Sequence, residues 1–281
     1  MVAVVAALLV ACGDGSGSNS VTDPEEDSSS SVCEDCDGSS SSKAKSSSSA
    51  TSNGSSLAER KPCDVKTDEN CFKDERDGQT YRTVKIGDQV WMAENLNYAS
   101  YTDVPYKYYP FSSDSISWCY DNDPANCAKY GRLYTWAAAM DSLHTTGCGY
   151  RKKCSPTYPV RGLCPEGWHL PKEMELKMLR TAVGGQYRAG KMLKSINGWN
   201  WNEHDDLNGN GTDDYSFAAL PAGYRNYDGL FSNEGYLASF WSSDEVNSDD
   251  ACNMYMYHYN DEAYVKIGFK YDGMSVRCVK D

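Results

Sequence analysis

The chain has 281 residues, 12 cysteines and a formal net charge of −13, from 40 acidic and 27 basic side chains. So acidic a chain excludes nucleic acid as a partner class, because phosphate backbones require a basic patch. Twelve cysteines point to an oxidising compartment, and the length allows one or two domains. Tyrosine outnumbers phenylalanine 21 to 6. Its apolar ring and polar tip suit either a half-exposed surface or a tyrosine-rich β core.

Residues 1–11 form an apolar run too short to span a bilayer, ending in Leu8-Leu-Val-Ala-Cys12. This resembles the bacterial lipoprotein box, with residues 1–12 as the signal segment and Cys12 as the lipidated residue. It implies a location at a bacterial outer membrane or cell surface, with the membrane as a partner through the lipid. The basic stretch usual at the start of a signal peptide is missing, and an upstream start would supply it. Otherwise this is an apolar N-terminus with a chance cysteine. Residues 13–61 are serine-rich and too polar to bury a core, so a flexible tether is expected, with ends roughly 35–40 Å apart. Cys33 and Cys36 lie inside it. No second half-site accompanies them, so a local disulfide is preferred to a zinc site. Residues 62–76 form an entry segment, with Cys63 and Cys71 as its staple.

Folded structure is expected from about Asp77. Residues 81–86 alternate, Gly87-Asp88 is a tight turn and residues 89–92 return, which predicts a β-hairpin. Residues 101–111 read as a Tyr/Pro loop. Cys119 and Cys127 bracket a loop, and Cys148 and Cys154 a smaller basic one. Residues 131–140 are predicted as a helix, with Leu133, Trp136, Ala137 and Met140 on one face. Residues 164–179 organise the chain: a cysteine-tethered turn leads into a helix with Pro171 in its first turn. Leu176, Leu179 and Val183 face the core and Gly184-Gly185 ends the helix. Residues 254–259 and 264–269 are strands, and Asp272-Gly273 is a hairpin turn into a strand at 275–279.

Six blocks match one family in order: Asp77 to Tyr98, Gly131-Arg-Leu-Tyr-Thr-Trp136, Cys164-Pro-Glu-Gly-Trp-His-Leu-Pro171, Ala219-Leu-Pro-Ala-Gly223, Phe240-Trp-Ser-Ser243 and Ser275-Val-Arg-Cys-Val-Lys-Asp281. Residues 77–281 thereby resemble the Fibrobacter succinogenes major paralogous domain. The chain departs from that pattern at Lys172, where a Ser or Thr helix cap is usual, so a weaker cap is expected. A second departure is the extra Cys252. The resemblance implies a surface or secreted bacterial protein of unestablished activity. It further implies a C-type lectin-like α+β fold, with irregular antiparallel strands, two helices and long disulfide-tied loops. That fold is shared with formylglycine-generating-enzyme-like domains, and it assigns architecture rather than function. Cys164 is expected to pair with Cys278, tying the organising helix to the last strand. Cys63–Cys71, Cys119–Cys127 and Cys148–Cys154 are the local pairs. Lipidation of Cys12 leaves an odd number, with Cys252 free.

No catalytic constellation emerges. His144, His169, His204 and His258 are scattered, and His169 reads as a packing residue beside Trp168. There is no phosphate loop and no nucleophile elbow. Trp241-Ser-Ser-Asp244 only partly matches the Trp-Asn-Asp triplet of sugar-binding C-type lectins, which puts calcium-mediated sugar binding in doubt. One stretch has calcium-loop spacing: Asp206, Asn208, Asn210, Thr212 and Asp214 around Gly211. Phe217 stands where the bidentate Glu belongs, which favours a plain surface loop and no cofactor. Trp199, Trp201, Tyr224 and Tyr227 are the candidates for stacking on sugar rings. The reading is therefore a lipid-anchored, non-catalytic domain binding an extracellular polymer, most readily a plant cell-wall polysaccharide. The alternatives are an extracellular enzyme of the formylglycine-generating-like superfamily or a structural envelope protein.

Overall fold

In the computed structural model, which describes residues 62–99, 117–141, 147–202 and 207–281, the chain begins with strands β1 (Cys71–Lys73), β2 (Thr80–Ile86) and β3 (Gln89–Met92). β2 and β3 are the expected hairpin, with Ile86 opposite Gln89 across Gly87-Asp88. Cys12, the Cys33/Cys36 pair, segment 13–61, loop 101–111, His144, His204 and Asp206 lie outside the described residues.

β4 (Ser117–Trp118) pairs with β5 (Leu133–Tyr134), and helix α1 (Pro124–Tyr130) lies between them in sequence. The Cys119–Cys127 segment is thus half helix rather than a loop. Asp123 caps α1 by accepting from the Ala125 N–H at 2.9 Å, and Pro124 takes its first turn. The helix expected over 131–140 shrinks to α2 (Trp136–Ala139). Thr135 is extended and caps α2, so the residues before it cannot be helical. Leu133 to Met140 are all buried, so the segment has no exposed side from which a period could be read.

β6 (Trp168–His169) precedes α3 (Glu173–Ala182) and α4 (Gln186–Leu193). Leu176, Leu179 and Val183 are buried as the 3.6-residue period requires. Lys172 is the N-cap residue of α3, so Pro171 precedes the helix rather than starting it. The missing Ser/Thr cap is made good twice. Glu175 accepts from the Lys172 N–H at 2.8 Å, and Asp244 accepts from the Glu173 N–H at 2.5 Å.

β7 (Trp201–Asn202) pairs with β8 (Leu207–Asn208), and β9 (Ala222–Arg225) with β10 (Phe231–Glu234). β11 (Leu237–Glu245), β12 (Asp250–Tyr257) and β13 (Tyr264–Phe269) form an antiparallel sheet. Ala238, Phe240, Met254, Met256 and Val265 join Leu176, Leu179, Ala189 and Leu193 in one core. A second core surrounds Trp136, Trp241 and the Cys164–Cys278 bridge. β14 (Val279–Lys280) does not return along β13 after Asp272-Gly273; it joins β3 and β6 in the order β1-β2-β3-β14-β6. The hairpin read at Asp272-Gly273 is therefore a crossover between sheets.

Helices and antiparallel sheets make this an α+β protein, with four α-helices among the described residues rather than the two expected. Disulfides join Cys63 to Cys71, Cys119 to Cys127, Cys148 to Cys154 and Cys164 to Cys278. Cys252 is also disulfide-bonded, with its partner outside the described residues, so the expected free thiol is corrected.

Candidate functional site

The alternation Met254-Tyr255-Met256-Tyr257 in β12 separates two faces. The methionines are fully buried in the core, and the tyrosines stand half-buried on the other side. Register places Ser239 beside Tyr255 and Tyr255 beside Tyr264, with Leu237 beside Tyr257. Ring centroids follow one another closely: Tyr264 to Tyr255 at 5.1 Å, Tyr255 to Tyr257 at 5.3 Å and Tyr257 to Tyr259 at 5.0 Å. His258 packs edge-on against Tyr259 and Tyr236 at 5.4 and 4.9 Å, which extends the track.

Beside this track lies an open cleft of about 420 Å³. Tyr224 of β9, Phe269 of β13 and Tyr255 and Tyr257 of the track contribute its aromatic walls, and Asn233, Ser239, Asn253, Asp250 and Asp272 its polar groups. Gly223 takes φ 66°, and a Cβ there would meet the Ser232 carbonyl at 2.3 Å, so only glycine lets β9 carry Tyr224 this close to β10. Gly268 leaves room for the Asn253 amide, whose nitrogen would sit 2.4 Å from a Cβ at that position. Asn253 is 2 % exposed. Asn253 Oδ1 and Asp250 Oδ1 are buried without a hydrogen-bond partner among the described residues.

The loop carrying Asp250 is held from behind by Lys270. Its buried ammonium donates to the Glu245 carboxylate, to the Asn247 carbonyl at 2.7 Å and to the Ser248 carbonyl at 3.3 Å. Burial lowers the Lys270 pKa, against the pull of Glu245. Burial and then the charge of Asp228 push Asp272 up to about 7. Burial, followed by the neighbouring Tyr257 and Tyr264, pushes Tyr255 up to about 12, so this hydroxyl stays protonated at neutral pH.

Of the four stacking candidates, Tyr224 lines the cleft and Tyr227 is exposed, edge-on to Tyr271 at 5.9 Å. Trp201 is 52 % exposed on β7. Trp199 is corrected to a core residue: it is 5 % exposed, and its indole N–H donates to Ser195 Oγ and the Ala219 carbonyl at 3.1 Å each. Tyr255, Tyr257 and Tyr264 of the track were not among the stacking candidates, although the Met/Tyr alternation marks the two tyrosines of β12.

In the candidate calcium loop, Asn208 Oδ1 accepts from the Asn210 N–H and Asn210 Oδ1 from the Trp199 N–H, each at 3.0 Å. Thr212 Oγ1 donates to the Lys191 carbonyl at 3.2 Å, and Asp214 is exposed. These bonds pack the loop onto the end of α4. Among the described residues no group of three His, Cys, Asp or Glu side chains is placed to share a metal ion. All nine described cysteines are disulfide-bonded, so none of them offers a thiolate. His169 does more than pack: its ring nitrogens lie 2.7 Å from Asp281 and 3.0 Å from Glu175.

No curated protein and no solved structure matches the chain. One family model, described as the Fibrobacter succinogenes major domain, matches residues 84–280, and the chain belongs to that family.

Proposed function

We propose that this member of the Fibrobacter succinogenes major domain family is a non-catalytic extracellular module that binds polysaccharide along its tyrosine track and cleft. The run of rings from Tyr264 through Tyr255 and Tyr257 to Tyr259 carries the reading. A sugar ring has an apolar C–H face and a rim of hydroxyls. Aromatic rings with buried oxygen acceptors beside them complement both features. An open cleft suits a polymer passing across it, whereas an enzyme calls for an enclosed pocket with converging catalytic groups. The architecture is taken as C-type lectin-like. Lipid on Cys12 and the serine-rich segment 13–61 would present the domain at the outer membrane or cell surface, where many copies convert weak contacts into avidity.

The test is a pull-down of the full chain with insoluble cellulose, xylan and pectin, beside a Tyr255→Ala/Tyr257→Ala variant and a reducing-sugar assay. Retention lost in the variant without sugar release is the expected result. Release of sugar would favour the enzyme reading. Absence of binding to every polymer would favour a structural envelope role.

A further inference from the structure

We infer that the cleft selects neutral, hydroxyl-rich chains and rejects polyanionic ones such as uronic-acid polymers. The inference rests on reading the cleft as a polysaccharide site and adds the class of chain it takes. Its only charged lining groups are carboxylates, set among neutral amide and hydroxyl side chains. Asp250 and Asp272 line the cleft, whereas no Lys or Arg does; Lys266, the register partner of Asn253, lies outside the lining. The buried Oδ1 atoms of Asp250 and Asn253 have no partner among the described residues. An unmatched buried acceptor is costly, and the cost disappears when a ligand donates to it.

A sugar hydroxyl can donate to both oxygens. A uronate or sulfate offers only acceptors at its charged group. That group would therefore face like charge at Asp250, and at Asp272 whenever Asp272 is ionised, and could donate to neither acceptor. Such juxtaposed like charges are a means of excluding wrong partners. The arrangement is positioned rather than incidental. The Asn253 amide lies in the space left by Gly268, and Lys270 fixes the loop that carries Asp250.

Two matched pairs of polymers separate charge from backbone: hydroxyethyl- with carboxymethyl-cellulose, and fully methyl-esterified with de-esterified pectin. Affinity electrophoresis of the full chain in 0.5 M salt screens the net charge of the protein over a few ångströms and leaves contacts inside the cleft. The neutral member of at least one pair should be retained at least about tenfold more strongly than its anionic partner, a difference of about 1.4 kcal/mol. The isosteric Asp250→Asn/Asp272→Asn variant should narrow that ratio by raising retention of the anionic chain. Tyr255→Ala/Tyr257→Ala should lose both. Equal retention of both members, still abolished by the tyrosine variant, would overturn the selectivity and keep the polysaccharide reading. A ratio unchanged in the Asn variant would overturn the role of the carboxylates. No retention of any polymer would overturn the underlying reading, and the selectivity with it.

Discussion

His169 and Asp281 share a 2.7 Å hydrogen bond that fastens β6 to the residue following β14. The other ring nitrogen of His169 meets Glu175 in the first turn of α3. Burial opposes charge on the imidazole, but the bonds to Glu175 and Asp281 outweigh it and raise the His169 pKa above 6.5. Burial likewise acts to raise Glu175, but His169 and the Lys172 N–H outweigh it and hold its pKa below 4.5.

The sign of the pH dependence follows from these directions. The raised histidine stabilises fully below its unfolded pKa of 6.5, and that contribution is lost as pH rises through the folded value. The depressed carboxylate stabilises above 4.5 and loses its contribution as pH falls through the folded value. The stability gap between wild type and His169→Ala should therefore be widest between pH 4.5 and 6.5 and should shrink above it. Thermal unfolding across that range measures it; a gap that stays constant up to pH 9 would show that the ring acts only by packing.

Asp244 supplies from β11 the helix cap that Lys172 cannot. Asp244→Ala should cost about 1–2 kcal/mol, the usual range for a lost cap, and Asp244→Asn should recover part of it. The readout is a lower urea midpoint with an unchanged slope. No shift would mean that Glu175 alone caps α3.

Trp199 and Tyr257 should separate stability from binding. Trp199→Ala removes a buried indole and should destabilise by about 3–5 kcal/mol, with polymer retention unchanged where the protein remains folded. Tyr257→Ala should weaken retention with a much smaller loss of stability. The opposite pattern would move the site to Trp199.

The Cys164–Cys278 bridge closes a separation of 114 residues, against 6 or 8 for the other three described pairs. In the chain-entropy view, Cys164→Ala/Cys278→Ala should cost about 4–5 kcal/mol. Removal of Cys119–Cys127 should cost less. Chemical denaturation of both double variants gives the comparison, and equal losses would contradict the loop-length account.

Cys252 is disulfide-bonded, and the cysteines outside the described residues are Cys12, Cys33 and Cys36. If Cys12 carries lipid its thiol is consumed. Non-reducing peptide mapping should then join Cys252 to the peptide holding Cys33 and Cys36. A Cys12–Cys252 peptide would exclude the lipid anchor.

Local pattern was enough wherever one face of an element meets water. The β2–β3 hairpin and the buried stripe of α3 could both be read that way. It failed for α2, where every residue is buried and no period survives. α1 was hidden because its bracketing cysteines suggested a loop, although Asp123-Pro124 is a cap signal. For the candidate site, the sequence named Trp and Tyr side chains for stacking without showing which of them meet solvent. Whether Trp199 or Tyr255 meets solvent depends on which sheet packs on which helix. Trp199 is buried through bonds to Ser195 and Ala219, and the position of Ala219 beside it is not set by neighbours in sequence. The partners of β14 were illegible for the same reason, since they lie far back along the chain.

That last pairing governs the order of assembly. Val279 must come to rest between Trp91 and His169 before the five-stranded sheet exists. Contacts of such wide sequence separation form late and slowly. The domain therefore cannot complete itself segment by segment as it emerges. It should stay open to proteases until residue 280 is available. A chain cut after Tyr271 should be digested far faster than the whole one under the same protease.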